Sequence, residues 1–142
     1  MEKIKSFTID HDVHKVGFYL SGEANGIFTY DLRVKTPNGG DYMDNPSMHT
    51  IEHLFATVVR NSTLKDKVVY FGPMGCRTGF YLLMLGVEKE ECFTLVKDCF
   101  KKCLELNEIP GNTRKECGNY LEHDLSKAKE VIREYLSVLE SL

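Results

Sequence analysis

Phe28, Tyr30, Leu32 and Val34 alternate with Thr29, Asp31, Arg33 and Lys35. This period-two pattern predicts a strand that buries one face and turns Asp31 and Arg33 to the other. Thr36-Pro37-Asn38-Gly39-Gly40 closes it as a turn. His14 to Leu20 is a shorter strand, and the turn-prone segment Ser21 to Gly26 makes the two a hairpin. A helix is expected to start at Asn45-Pro46, with Asn as the cap and Pro in the first helical position, and to run to Arg60. Its apolar stripe is Met48, Ile51, Phe55, Val58 and Val59. Val68 to Phe71, ended by Gly72-Pro73, and Phe80 to Leu85, bounded by Gly79 and Gly86, read as two buried strands. Glu88 to Asn107 and Asp124 to Leu142 are amphipathic helices. The pattern predicts a single α+β domain spanning 1–142, with helices packed on a small, mainly antiparallel sheet.

Composition narrows the classes. With 142 residues and 42% hydrophobic content, one domain can bury a sizeable core. Eighteen Lys and Arg against 21 Asp and Glu leave 18 − 21 = −3. With no block of like charge, a nucleic-acid surface is not expected. No stretch approaches the roughly 18 consecutive apolar residues of a membrane span, and no apolar segment follows the charged N-terminus. A cytoplasmic protein without membrane contact is expected.

Five cysteines and five histidines carry the chemistry. An odd cysteine count without a secretion signal favours reduced thiols. Cys92, Cys99 and Cys103 share spacings of three and four with Leu95, Val96, Phe100 and Leu106 and read as core. Cys76 and Cys117 differ, because Gly75-Cys76 and Cys117-Gly118 place each thiol beside a residue suited to bends and left-handed backbone. The sharpest signal is His49-Thr50-Ile51-Glu52-His53. On a helix, positions 49, 52 and 53 lie within about a third of the circumference, so two imidazoles and a carboxylate face one space. Histidines four apart can share a divalent metal, and the intervening Glu can exchange protons beside it. This is the order of the inverted zinc-peptidase helix; a solvated face bearing two unrelated histidines is the plain alternative. A catalytic centre needs a third ligand and an open position, and Cys117 is the best candidate. Asp10 can orient His11, whereas His14 and His123 read as surface residues.

Five segments taken in order resemble the S-ribosylhomocysteine lyase family, the autoinducer-2 synthesis proteins. They are Ser6 to His11, Tyr30 to Arg33, Pro46 to Leu54, Pro73 to Tyr81 and Glu116 to Asn119. The resemblance covers nearly the whole chain. It implies a lyase that cleaves the thioether of S-ribosylhomocysteine to homocysteine and a dihydroxypentanedione, the precursor of a quorum-sensing signal, in a step of the methyl cycle. It further implies one divalent metal per subunit, natively Fe2+ with Zn2+ or Co2+ able to replace it. A homodimer with active sites at the subunit interface is also implied. By position, His49, His53 and Cys117 are the metal ligands, Glu52 and Cys76 the acid–base groups, and Ser6, His11 and Arg33 substrate or proton-shuttle residues.

The reaction explains these residue types. The C–S bond is not adjacent to the sugar carbonyl, so the carbonyl must first migrate along the chain by proton abstractions through enediolates before β-elimination. A Lewis acid stabilises the enediolate charge. A Cys76 thiolate can carry protons between carbons, and Glu52 can serve the oxygens. A metallopeptidase shares the His-Glu-His helix, but usually adds a downstream carboxylate and encloses peptide in a larger chamber. A non-catalytic metal module would close all four coordination positions.

Overall fold

The hairpin turns on Asn25-Gly26, both at positive φ (55° and 77°), as a two-residue turn whose twist matches that of its strands. Its first strand therefore runs later than the alternation suggested. β1 spans Gly17–Ala24 and takes in Ser21 to Ala24, which the sequence pattern assigned to the turn. β2 spans Ile27–Arg33. A computed structural model describes residues 1–142. Its remaining elements are α1 (Asn45–Val59), β3 (Val68–Pro73), β4 (Gly79–Leu85), α2 (Lys89–Cys103) and α3 (Leu125–Glu140).

The four strands form one antiparallel sheet in the order β1-β2-β4-β3. β3 continues through Gly72-Pro73, where the sequence suggested a break. Its Pro73 lies on the edge strand, where a missing N–H costs the sheet least. Gly79 has no alternative where β4 begins, because an added Cβ would lie 2.5 Å from the Leu32 carbonyl oxygen.

The three helices cover one face of the sheet. Tyr30, Leu32, Phe80, Leu82 and Met84 from the strands meet Ile51, Leu54 and Phe55 of α1, Val96 and Phe100 of α2, and Ile132 and Tyr135 of α3. Each such large side chain contributes roughly 1.5–3 kcal/mol by leaving water. Cys92, Cys99 and Cys103 are buried in this core, as their spacing predicted. The Tyr135 hydroxyl donates to the Gly17 carbonyl at 2.8 Å and ties α3 to β1. The opposite sheet face is closed over Asp31 and Arg33 but open beyond them. There Thr29, Tyr70, Tyr81 and Leu83 border a groove of ≈ 570 Å³ that Ile4 and Ser6 also line. No helix is long and apolar enough to cross a membrane.

Helix α1 carries the His-Glu-His segment, and its start is set one residue earlier than expected. Asp44, not Asn45, is the cap, and its carboxylate accepts the Ser47 N–H at 2.8 Å. The Lys127 ammonium of α3 meets the same carboxylate at 2.9 Å. The cap therefore also fixes α1 against α3.

Candidate metal centre

His49 and His53 project from α1 toward the irregular segment between α2 and α3. Both ring Nδ1 atoms find backbone carbonyls there, His49 on Glu122 at 2.9 Å and His53 on Pro110 at 2.8 Å. A carbonyl only accepts, so each Nδ1 carries the proton and each Nε2 presents a lone pair, the arrangement that orients metal-binding histidines. Gly111 permits the close approach of this segment. It sits at φ +71°, a left-handed conformation that side chains disfavour, and so shapes the turn that lies against His53.

The same segment delivers Cys117 to the two imidazoles, with its Sγ 3.4 Å from His49 Nε2 and 3.8 Å from His53 Nε2. Metal–nitrogen bonds of about 2.0 Å and metal–sulfur bonds of about 2.3 Å at a tetrahedral centre put nitrogen and sulfur about 3.5 Å apart. The donor set and spacing fit a divalent transition metal.

A fourth residue belongs to the group. His123, read from the sequence as a surface histidine, brings its Nε2 to 3.9 Å from Cys117 Sγ, and the four ligand-type atoms lie within 4.8 Å of one another. Together the four form a group that could hold a metal ion. Burial, followed by the repulsion that His49 and His53 exert whenever they are protonated, lowers the His123 pKa to about 4 against the opposing pull of Glu122. His123 is thus neutral near pH 7. Its place was encoded six positions after Cys117 and directly before Asp124, the cap of α3.

The other predicted residues fall elsewhere. Glu52 is half-buried, and its carboxylate has no hydrogen-bond or ion-pair partner within the chain. Cys76 is exposed in the β3–β4 connection and is absent from the metal group. Its Sγ lies 3.0 Å from Thr78 Oγ1, which accepts from Arg33 Nη1 at 2.8 Å. Arg33 also forks onto Asp31, with Nε to Oδ1 at 3.1 Å and Nη2 to Oδ2 at 2.7 Å. Asp31 Oδ2 meets His14 Nε2 at 3.1 Å.

Asp31 and Arg33 are therefore buried, at 0% and 1% exposure, and not on the open polar face that the alternation implied. His14, also read as a surface residue, is their partner. His11 stands next to it, ring centroids 6.3 Å apart, with Nδ1 donating to the Ile9 carbonyl at 2.8 Å. Ser6 lies in a short 3-10 turn, Lys5–Thr8, at the rim of the open sheet face. Cys76 and Cys117 lie at turns outside the helices and strands, as their flanking glycines suggested; beside Cys76 the left-handed residue is Arg77, at φ 62°.

The profile of the S-ribosylhomocysteinase (LuxS) family matches residues 4–141. The chain belongs to this family. Similar to it are the S-ribosylhomocysteine lyases of Borreliella afzelii, 46% identical over all of this chain and 95% of that protein, and of Finegoldia magna, 43% identical over all of this chain and 94% of that protein. The S-ribosylhomocysteine lyase of Phocaeicola vulgatus is 45% identical over all of this chain and 93% of that protein. As a LuxS family member the chain is a carbon–sulfur lyase. In LuxS terms its side chains form two groups: His49, His53, Cys117 and His123 around one point, and Cys76, Thr78, Arg33, Asp31 and His14 in a chain of contacts leading away from β4.

Proposed function

We propose that the chain cleaves the C–S bond of S-ribosylhomocysteine, with His49, His53 and Cys117 holding one divalent metal, Fe2+ in the native enzyme and Zn2+ or Co2+ as replacements. The observation that carries this reading is the pairing of two carbonyl-locked imidazoles with a thiol at 3.4 Å and 3.8 Å. When bound, the metal supplies Lewis-acid stabilisation of the negative charge that develops on the substrate oxygens.

The chain's own residues move the protons. Cys76, as thiolate, takes the proton from the carbon next to the carbonyl and returns it to the adjacent carbon, so that the carbonyl migrates without net redox change. Glu52 has no partner in the chain and is free to pass protons between the ribose oxygens. In the last step Cys76 removes the proton α to the migrated carbonyl and the C–S electron pair leaves with sulfur. Homocysteine then takes up a proton, and the enol left by the elimination gives up its hydroxyl proton and gains one at the terminal carbon to become the dihydroxypentanedione. Arg33 is buried and spends three of its five N–H donors on Asp31 and Thr78, so it serves the substrate by holding Thr78 against Cys76. Ser6 and His11, whose Nε2 keeps a free lone pair, complete the substrate pocket.

A homodimer completes the site. Cys76 and the metal group share no contact within one chain, and Ile4, Phe7, Val13, Leu20 and Tyr70 are exposed apolar residues of the N-terminal segment and the sheet. Covering that face with a second copy accounts for both.

Free-thiol release from S-ribosylhomocysteine by protein loaded anaerobically with Fe2+ tests the activity, and absence of metal-dependent release overturns it. Metal analysis tests the roles. Cys117→Ala is expected to lose metal and turnover together, whereas Cys76→Ala keeps its metal and loses turnover.

A further inference from the structure

His123 reaches the metal group but differs from His49 and His53 in what fixes its proton. Its Nδ1 lies 2.9 Å from the Thr50 hydroxyl. Thr50 is fully buried, and its oxygen already accepts the Asp124 backbone N–H at 2.9 Å. An N–H can only donate, so the hydroxyl's own proton has one place to go, His123 Nδ1, and a buried hydroxyl left without an acceptor costs about 1–3 kcal/mol. A neutral imidazole that accepts at Nδ1 carries its proton on Nε2. His123 thus turns an N–H toward Cys117, while His49 and His53 turn lone pairs toward it.

Ring geometry separates His123 from His49 though not from His53, which it crosses at 74° with centroids 4.7 Å apart. His49 and His53 are nearly perpendicular, at 85° with centroids 4.7 Å apart, so their in-plane lone pairs can converge. His49 and His123 are stacked at 3.9 Å with only 23° between planes. In-plane lone pairs of stacked rings run side by side, so the Nε2 atoms of His49 and His123 do not converge on one point as those of His49 and His53 can.

We propose that His123 is a positioning residue, locked by Thr50 as the Nε2–H tautomer and donating to the Cys117 thiolate, and not a fourth ligand. This rests on the metal-site reading above and deepens it. A donor at the sulfur draws charge away from the metal and preserves its Lewis acidity. A non-ligating His123 also leaves the fourth position for the substrate's oxygens.

Long-range proton–nitrogen NMR on 15N-histidine-labelled, Zn2+-loaded protein reads each tautomer. The expected result is protons on Nδ1 of His49 and His53 and on Nε2 of His123, with metal-shifted Nε2 signals from the first two alone. A metal-shifted Nε2 and a proton on Nδ1 of His123 would overturn the proposal. The metal-free protein separates the two levels of inference, because Thr50 fixes the His123 proton with or without metal. If no Zn2+ binds but His123 is still Nε2–H, the metal reading fails and the donor role fails with it, whereas the tautomer assignment stands.

In Co2+-loaded His123→Gln, the four-coordinate visible spectrum is expected to persist. The sulfur-to-cobalt band should shift, and affinity should fall about 10- to 100-fold. A changed coordination number would identify His123 as a ligand. Thr50→Val should reproduce the band shift, and an unmoved band in Thr50→Val overturns the role of the Thr50 lock.

Discussion

At the scale of single residues, the most consequential group outside the metal centre is the buried Asp31–Arg33 pair. Two charges withdrawn from water are tolerated because the fork is bidentate and because Thr78 and His14 satisfy further positions. Breaking it from one side is costly. Asp31→Asn leaves Arg33 as an uncompensated buried charge, and urea unfolding is expected to show a loss of about 3–5 kcal/mol with metal content unchanged. A loss under 1 kcal/mol would mean that solvent reaches the pair. Period-two alternation assigns a face and nothing more, so the sequence placed Asp31 and Arg33 opposite Tyr30 and Leu32 correctly. It could not show that His14 and Thr78 cover that second face. His123 escaped notice for a related reason: its partners Thr50 and His49 lie about 70 positions away in sequence, and only the docking of α3 on α1 brings them together.

At the scale of elements, capping and core thiols are the features open to measurement. Asp44 holds the start of α1 and the contact with α3 together. Burial opposes its ionisation, but the Ser47 N–H and the Lys127 ammonium outweigh that and hold its carboxyl below the ordinary value of 3.8. A carboxyl lowered by folding stabilises above its unfolded value, and that contribution is lost as pH falls through the folded one. Asp44→Ala is expected to cost about 1 kcal/mol at pH 7, and the difference from the parent should shrink in acid unfolding below pH 3.8. A difference that grows in acid contradicts the assignment. The boundary residues moved by one to four positions where short polar stretches were ambiguous. Ser21 to Ala24 has the composition of a turn, yet the left-handed pair Asn25-Gly26 makes it strand. The core-facing stripes were legible because helical spacing is a strong signal, and α2 shows it. Burial pushes the Cys99 thiol up to about 11 and the Cys103 thiol to about 12, and Cys92 higher still. These three thiols should resist a thiol reagent at pH 8 in the native protein and react in denaturant; fast native labelling of any of them would place it outside the core.

At the scale of the whole molecule, the separation of the two residue groups makes a prediction that neither group makes alone. The chain places Cys76 on the β3–β4 connection beside the Arg33 network, and the metal group between α1 and the segment before α3. If two copies pair so that each active site takes its metal group from one subunit and Cys76 from the other, the single-residue defects can complement. On that pairing, Cys76→Ala and Cys117→Ala homodimers are each expected to be inactive. When the two proteins are mixed, unfolded and refolded together, about half of the dimers are mixed. In a mixed dimer, one site combines the intact Cys117 of the first chain with the intact Cys76 of the second, while the other site carries both defects. Turnover should therefore recover to about one quarter of the parent value, with about one metal per mixed dimer. Sites built within single chains give a different result, since every site in the mixture then bears one defect and recovery is zero. The sequence contained both groups in full, but a linear chain carries no mark of which copy its residues will face. Thiol release from S-ribosylhomocysteine by the refolded mixture decides between these arrangements without requiring a structure of the assembly.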